Sequence, residues 1–406
     1  MNSNWKKKAA FFISSQTVSL LGSSLVQYAI LWHITLSTQS GLMMTLSIIC
    51  GFVPSFFLSP FAGVWADRYN RKMLIVFSDA GIAAVTLVLA IVFLLGYNEI
   101  WLLFLISAVR SLGTGIQQPA VGAFIPQIVP EENLTRVNAI NSTIQSVISL
   151  VSPMASGALM ALATIDMIFF IDVITAIIAI VILLFFLHVP SHEKAKQEQQ
   201  AGYLSDFRSG LKYVRTHGFI IKFLSFSAIF FFLAAPAAFL TPLQVTRSFN
   251  GGVWHLSAIE IAFSLGMVLG GLVMAAWGGF KNRIYTMVFS GFALGICTFA
   301  MGVIPKFWLY LIVMGITGVA IPLFHTPATV LLQEKVEESY LGRVFGLFGM
   351  ITSAVMPLGM LVFGPLSDTL AIEWLLVGTG ILMLVVSAML LGSKSLIKAG
   401  VTQKIS

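Results

Sequence analysis

The segment Gly63-Val-Trp-Ala-Asp67-Arg68-Tyr-Asn70-Arg71-Lys72 places one aspartate and three cations between two long apolar stretches. The apolar stretches cover residues 42–65 and 73–95, and each has the ~20 residues that a helix needs to cross a bilayer. A polar segment this short can only join two consecutive membrane helices at one face of the membrane. The segment therefore predicts two membrane helices joined by a short basic loop.

The composition of the whole chain agrees with a membrane protein. Of its 406 residues, 58% are hydrophobic and 10% are charged, with a mean hydropathy of +0.94, whereas soluble domains carry roughly 25% charged residues. The excess of 23 Lys and Arg over 16 Asp and Glu stands in short clusters between apolar stretches, which indicates membrane orientation and not nucleic-acid binding. Cys50 and Cys297 lie inside apolar stretches, so we expect small buried residues and neither a disulfide nor a metal site.

Further stretches of the same kind continue along the chain. The first follows the basic residues Lys6 to Lys8 and runs on without a small-residue cleavage site, so we expect a retained helix and not a signal peptide. The predicted membrane spans are 10–33, 42–65, 73–95, 100–122, 137–161, 167–188, 219–242, 256–278, 284–304, 307–330, 343–365 and 373–392.

The distribution of cations orients these spans. With the amino terminus in the cytoplasm, 20 of the 23 Lys and Arg residues fall in inner segments. The outer segments hold only Arg247 and Lys306, and Arg110 lies within a span. Because cytoplasmic loops carry the excess of Lys and Arg, we predict a multi-pass protein of the cell membrane with both termini in the cytoplasm.

The second half of the chain repeats motifs of the first. The pattern Trp, four residues, Asn-Arg follows the second span at 65–71 and the eighth span at 277–283. A Pro-Ala pair lies in the fourth and tenth spans, and an acidic pair followed by Arg-Val comes after each. Parallel repeats form rocking transporters with a shared central substrate site. We therefore predict six-helix bundles at 1–188 and 219–406, separated by a cytoplasmic loop at 189–218.

The central loop is the longest polar stretch. Its later part, residues 203–217, alternates apolar and charged residues at helical spacing, which favours a surface helix along the inner leaflet. A simple tethering linker is the alternative.

At residues 63–72 the sequence resembles the signature loop of the major facilitator superfamily, in which Gly, three residues, Asp-Arg, two residues and Arg-Arg/Lys follow one another. Asn70 stands where Gly is commonest. Segments at 110–120 and 333–344 further resemble the drug-exporting branch that contains the macrolide efflux proteins, and tetracycline exporters share the general pattern. The resemblance implies the all-α major facilitator fold of twelve transmembrane helices in two six-helix bundles. It also implies export of a small amphipathic drug by alternating access, as a proton antiporter without a cofactor.

The resemblance also implies a role for the loop. Asp67 would engage the eleventh span as a gate latch, since a carboxylate can cap the positive end of a neighbouring helix. Arg68, Arg71 and Lys72 would supply hydrogen bonds that lock the inner side, and Gly63 completes the motif. A basic inner loop without this function is the plainer alternative.

Charged residues at membrane depth are costly and mark functional sites by default. Arg110 lies ten residues into the fourth span, about 15 Å at 1.5 Å per residue, so it must face a cavity or a carboxylate. The drug-exporting branch carries an arginine on this helix, which implies a substrate or proton-relay role. We expect Asp172 to be the partner of Arg110 or the proton carrier, and Asp79 and Glu260 are the alternatives for these roles. A structural role for Asp79, bracing the signature loop, is a further alternative.

Neutral polar residues, aromatic residues and prolines complete the candidates. Gln27 and Gln118 would bind an uncharged or cationic drug if they face the cavity, or else join helices. The run Phe230 to Phe232 favours either an aromatic-lined cavity or a lipid-facing surface. Pro153 and Pro357 stand at matching places in the fifth and eleventh spans and predict hinges, because proline frees a backbone carbonyl.

Other classes of protein are less compatible with the sequence. It contains no Gly-x-x-x-x-Gly-Lys-Ser/Thr phosphate loop, no His-Glu-x-x-His and no Gly-x-Ser-x-Gly, which argues against an ATPase, a membrane protease and an esterase. A nutrient symporter, a channel and a membrane sensor remain alternatives. The expected partners are a small-molecule drug, protons and the lipid bilayer, with the protein acting as a monomer.

Overall fold

The computed structural model describes residues 5–187, 189 and 212–400, without the side chains of Asp67, Glu338, Ser339 and Gly342. Long helices account for most of this part of the chain. They are α1 (Trp5–Thr38), α2 (Gly41–Arg68), α3 (Arg71–Leu94), α4 (Ile100–Ile128), α5 (Leu134–Leu162), α6 (Ile165–Val181), α7 (Gly218–Phe239), α8 (Thr241–Ser248), α9 (Val253–Trp277), α10 (Arg283–Met301), α11 (Phe307–Lys335), α12 (Glu338–Leu366), α13 (Ile372–Gly392) and α14 (Lys394–Ala399). A π-helical turn, Ile182–Phe186, extends α6.

Within the described residues, twelve helical segments are long and apolar enough to cross a membrane. Helices are the form that satisfies every backbone N–H and C=O inside lipid. The predicted spans are therefore confirmed, and most helices extend a few residues beyond the predicted apolar cores.

The seventh span differs most from its predicted range of 219–242. The helical path continues through α8 to Ser248, although Gln244 and Thr246 are polar. Both are buried, and each polar atom of the Gln244 side chain has a partner: the amide nitrogen donates to the Met301 carbonyl (2.8 Å) and the amide oxygen accepts from the Tyr310 hydroxyl (2.9 Å). Because their side chains are hydrogen-bonded, polar residues of this segment can be buried. A prediction based on the length of the apolar stretch alone therefore ends the seventh span too early.

Two compact units are present in the chain. The first comprises Met1–Thr38, Leu46–Glu198 and Gly252–Ser257, and the second comprises Gln39–Thr45, Gln199–Gly251 and Ala258–Ser406. In the first unit, α1 packs against α5 and α6, and α3 packs against α4 and α6.

In the second unit, α10 packs against α11 and α13, and α7 packs against α12 and α13. The core of this unit is aromatic. Phe230 of α7 stacks on Phe324 of α11 with ring centroids 4.8 Å apart, and Phe231 meets the same ring edge-on at 5.8 Å. Phe230 and Phe231 are buried in this core, so neither lines a lipid-facing surface.

The predicted surface helix at 203–217 lies mostly outside the described residues. Its final part, 212–216, is helical, but Tyr213 is buried in the core of the second unit. The Tyr213 ring stacks on Tyr340 of α12 with centroids 4.1 Å apart. This end of the segment therefore packs against protein.

Candidate transport site

The signature loop and its repeat use the same local hydrogen bonds. Asn70 caps α3 by accepting from the Met73 N–H (3.3 Å), and Asn282 caps α10 by accepting from the Ile284 N–H (2.9 Å). The following arginine in each loop donates to the carbonyl five residues earlier, from Arg71 to Ala66 at 2.9 Å and from Arg283 to Gly278 at 3.2 Å. The sequence repeat is therefore also a repeat of structure.

Two cations of the signature loop hold neighbouring helix ends. Arg71 also donates to the Ala123 carbonyl of α4 (2.9 Å), and Lys72 donates to the Leu187 carbonyl after the π-helical turn (2.8 Å). Cations at the carbonyl ends of helices are favourable because they oppose the helix dipole. These contacts fix the ends of α2, α4 and α6 in one place.

The other residues of the motif are Gly63, Asp67 and Arg68. Asp67 is in the last turn of α2, and its side chain lies outside the described part of the structure. Arg68 ends α2 and is exposed. A Cβ atom added at Gly63 would meet no atom within 4 Å. Close packing in this conformation therefore does not explain the glycine.

Arg110 and Asp172 form an ion pair inside the first unit. Arg110 of α4 donates to the Asp172 carboxylate of α6 and to the Thr86 hydroxyl of α3, and the exposed fractions of the two charged residues are 9% and 1%. Ser23 of α1 donates to the second Asp172 oxygen at 3.2 Å. Four helices thus supply one charged cluster. Buried charges require this degree of pairing and hydrogen bonding to be tolerated.

Asp79 occupies a second cluster in the same unit, with no cationic partner among the described residues. It is 2% exposed. Its Oδ1 accepts from the Ser19 hydroxyl (2.9 Å) and from the Gln117 amide (2.6 Å), whereas its Oδ2 is buried without a hydrogen-bond partner. The Gln16 amide nitrogen, one turn along α1 from Ser19, is also buried without a partner.

The two clusters lie on the same faces of three helices. Their residues are four positions apart on α1 and seven apart on α3 and on α4. At 1.5 Å per residue these spacings correspond to about 6 Å along α1 and about 10 Å along α3 and α4. A proton or an ion moving along this face would meet both carboxylates in succession.

The remaining polar candidates are not part of these clusters. Glu260 lies eight residues into α9 and is partly exposed, and it has no ion pair or hydrogen bond to any residue that the structure describes. The exposed residues Leu265, Leu269 and Leu272 project on the other side of α9. Gln27 and Gln118 are exposed.

Both hinge candidates lie inside uninterrupted helices. Pro153 is buried within α5, which runs from Leu134 to Leu162, and Pro357 is buried within α12, which runs from Glu338 to Leu366. Each proline removes one intrahelical hydrogen bond without ending its helix.

Sequence reasoning missed one charged cluster, which lies at the start of α2 within the second unit. The Asp368 carboxylate accepts from the Gly41 N–H (2.7 Å), the Leu42 N–H (2.9 Å), the Ser40 hydroxyl (2.8 Å) and Arg247 (2.7 Å). Burial raises the pKa of Asp368, but these hydrogen bonds outweigh it and hold the pKa below the ordinary 3.8. One signal was available: Arg247 is one of only two cations in the predicted outer segments.

Twelve helices long and apolar enough to span a membrane in the described part of the chain, with charges buried among them, are typical of multi-pass membrane transporters. Residues 10–360 match the model of the Major Facilitator Superfamily, so the chain belongs to this family of transporters and is not an enzyme. The family predicted from the signature loop is thereby confirmed.

Relatives with curated names are similar along most of the chain. The protein is 31% identical to Macrolide efflux protein A of Streptococcus pyogenes over 387 residues, which cover 94% of this chain and 95% of that protein. It is 32% identical to Macrolide efflux protein A of Enterococcus faecalis, with coverage of 79% and 99%.

A solved structure shares the fold: that of a bacterial homolog of the human lysosomal transporter Spinster. The TM-score is 0.71 at 12% identity, and the alignment covers 99% of both chains. At this identity the likeness concerns the fold alone.

Proposed function

We propose that this transporter exports small amphipathic drugs of the macrolide type from the cell, in exchange for protons. The observation that carries the proposal is the similarity to Macrolide efflux protein A, which extends over 94% of this chain and 95% of the relative. The buried charge clusters of the first unit support the coupling part of the proposal, because charges at this depth are retained at a cost.

The proposed setting is the cell membrane, with both termini in the cytoplasm. The support is the cation count, which places 20 of 23 Lys and Arg residues on one side. On this topology the bundles at 1–188 and 219–406, joined by the loop at 189–218, alternate in exposing a central site to each face. The signature loop from Gly63 to Lys72 acts as the inner latch, and Pro153 and Pro357 allow the helices to bend.

In the proposed mechanism Asp79 carries the proton. One of its oxygens is held by two donors, and the other is buried without a partner and free to take a proton. A protein exchanging one proton for one drug needs a group that changes charge without unfolding its surroundings. A carboxylate with no counter-charge in contact meets this need better than one already neutralised by an ion pair.

Arg110 and Asp172 then have a different role. Their ion pair keeps a full charge of each sign inside the bundle, and Asp172 is committed to Arg110. We propose that protonation of Asp79, about two helical turns away along α3 and α4, changes the field at this pair. The change shifts the balance between the two conformations of the transporter. Glu260, Gln27 and Gln118 are proposed to contact the drug.

Drug-sensitive cells expressing the protein give the direct test of function. We expect the inhibitory concentration of erythromycin to rise several-fold and that of tetracycline to remain unchanged. An Arg110→Ala protein, present in the membrane in equal amount, should give the sensitivity of cells without the transporter. Protection against tetracycline alone would assign the other drug class, and protection against neither drug would end the export proposal.

Flux into proteoliposomes distinguishes the other classes. A proton antiporter in inverted vesicles accumulates labelled erythromycin when the lumen is acidic, and loses it when a protonophore dissipates the gradient. A channel only equilibrates the drug, a sensor moves none, and a nutrient symporter accumulates its substrate with the opposite proton direction.

A further inference from the structure

We propose that Asp368 and Arg247 form an outer clasp on the first turn of α2, and that this clasp opens whenever the outer side of the transport pathway opens. The outer clasp consists of residues 39–42, Arg247, Ser367 and Asp368. The proposal rests on the alternating access proposed above, and it adds a device at the end of α2 opposite to the signature loop.

Asp368 caps a helix that is distant from it in the sequence. Its two oxygens accept from the first two N–H groups of α2, Gly41 at 2.7 Å and Leu42 at 2.9 Å. These N–H groups have no partner within their own helix, and the positive end of the helix dipole attracts a carboxylate. In the closed clasp, Asp368 therefore satisfies two backbone N–H groups. When the clasp opens, these groups need water as their hydrogen-bond partner.

Arg247 holds the residues on both sides of this cap. Its guanidinium donates to Asp368 (2.7 Å), to the Ser367 carbonyl (2.6 Å) and to the Gln39 carbonyl (2.9 Å). Gln39 has a φ of +48°, a left-handed conformation that costs a residue with a side chain free energy. The Arg247 side chain thus joins the strained turn at Gln39, just before α2, to Ser367 and Asp368, just after α12.

The helices behind the clasp are in close contact. A Cβ atom at Gly41 would lie 2.2 Å from the Gly364 carbonyl oxygen, and one at Gly364 would lie 1.7 Å from the Thr45 hydroxyl. Thr45 is 1% exposed, and its hydroxyl lies 3.2 Å from the Met360 carbonyl of α12. Closely packed surfaces do not separate gradually, because a partial separation loses contacts without admitting water. We therefore expect the clasp to have one closed and one open state.

The path of the chain explains why this contact matters. α1 ends at Thr38 in the first unit, residues 39–45 belong to the second unit, and the chain returns to the first unit at Leu46. The clasp thus holds a short strap of the first half within the second unit. α2 carries Asp67 at its far end, where the signature loop predicts the inner latch, so the same helix would have a carboxylate-based contact at each end.

Cysteine accessibility tests the clasp without any drug. Cys50 and Cys297 are replaced by Ser, Thr45→Cys provides one reporter thiol behind the clasp, and detergent-purified protein is labelled with a maleimide. Asp368→Asn should speed labelling about tenfold, because the loss of one charge-assisted hydrogen bond shifts an equilibrium by roughly that factor. Glu373→Gln is the matched control, since Glu373 accepts from Ser248 and, among the described residues, no hydrogen bond or ion pair joins it to the clasp. It should leave the rate unchanged.

A second pair of variants separates a helix cap from an ordinary ion pair. Arg247→Gln should also speed labelling, and it provides the test if Asp368→Asn elutes as an aggregate. Exchange of the charges, Asp368→Arg with Arg247→Asp, should not restore slow labelling, because an arginine cannot accept from the N–H groups of α2. Unchanged labelling in both single variants would overturn the clasp. Full recovery in the exchanged protein would overturn the capping role.

Discussion

The two halves share a repeat but use matching positions for different purposes. The alignment that superposes Asn70 on Asn282 places Asp79 opposite Gly291, and the one that superposes Pro119 on Pro327 places Arg110 opposite Gly318. The first half thus has charges where the second has glycines. The two halves thus share their helices and loops, but they differ in the residues at matching positions inside these helices.

The two glycines at these matching positions of the second half allow close packing. A Cβ atom at Gly318 would lie 2.1 Å from the Phe263 carbonyl oxygen of α9, and one at Gly291 would lie 2.5 Å from the Ser387 hydroxyl of α13. Small residues allow helix backbones to approach closely in membranes. Together with the stacked rings of Phe230 and Phe324, they pack the interior of the second unit tightly, whereas the first unit holds the buried clusters of Arg110, Asp172 and Asp79.

The largest effect on transport and stability is expected from removal of the buried cation of the first half, Arg110. Arg110→Ala should abolish drug transport and lower the free energy of unfolding by about 3–5 kcal/mol, because Asp172 remains buried without a counter-charge. The measurements are erythromycin flux and the detergent melting temperature. Arg110→Gln combined with Asp172→Asn should recover much of the stability but none of the transport. Recovery of both would show that the pair is only structural.

An added side chain tests the packing of the second half. Gly318→Leu should destabilise the protein by about 1–3 kcal/mol or prevent its accumulation in the membrane, because its side chain has no room beside α9. Gly81→Leu in the first half is the matched control, since a Cβ atom there meets nothing within 4 Å. Fluorescence-detected size-exclusion chromatography of both variants measures the difference. Equal behaviour would contradict the close packing of Gly318 against α9.

The smallest effect concerns pH at the outer clasp. Because the pKa of Asp368 is depressed, the stability contributed by its ionised form is present above the ordinary value of 3.8 and is lost only as the pH falls through the lower folded value. Arg247 forms the ion pair with Asp368. In an Asp79→Asn background, which lacks the proposed proton carrier, labelling of Cys at position 45, corrected for maleimide reactivity, should therefore be the same at pH 7.5 and pH 5. A marked rise at pH 5 would contradict this assignment.

Much of the fold followed from the sequence because lipid imposes simple rules. Apolar length located the twelve spans, and the loop around Asp67 indicated the family. The polar extension of the seventh span was missed, since Gln244 finds its partners on α10 and α11, far away in the sequence.

The candidate site was predictable in its residue types and in one of its contacts. Depth and charge singled out Arg110, Asp172 and Asp79 and favoured Asp172 as the partner of Arg110, with which it forms an ion pair. Nothing in the sequence indicated that Asp79 meets two neutral donors. Asp368 escaped notice because it lies outside the apolar stretches and its main partners are backbone N–H groups, which no side-chain pattern reveals.

Proton coupling of the Asp79→Asn protein tests the central claim most directly. In inverted proteoliposomes, the wild-type protein should accumulate erythromycin only when the lumen is acidic. The variant should still exchange labelled for unlabelled erythromycin, yet fail to accumulate it at any pH gradient. If Asp79→Asn accumulated the drug at the wild-type level in response to the gradient, the assignment of the proton to Asp79 would be contradicted.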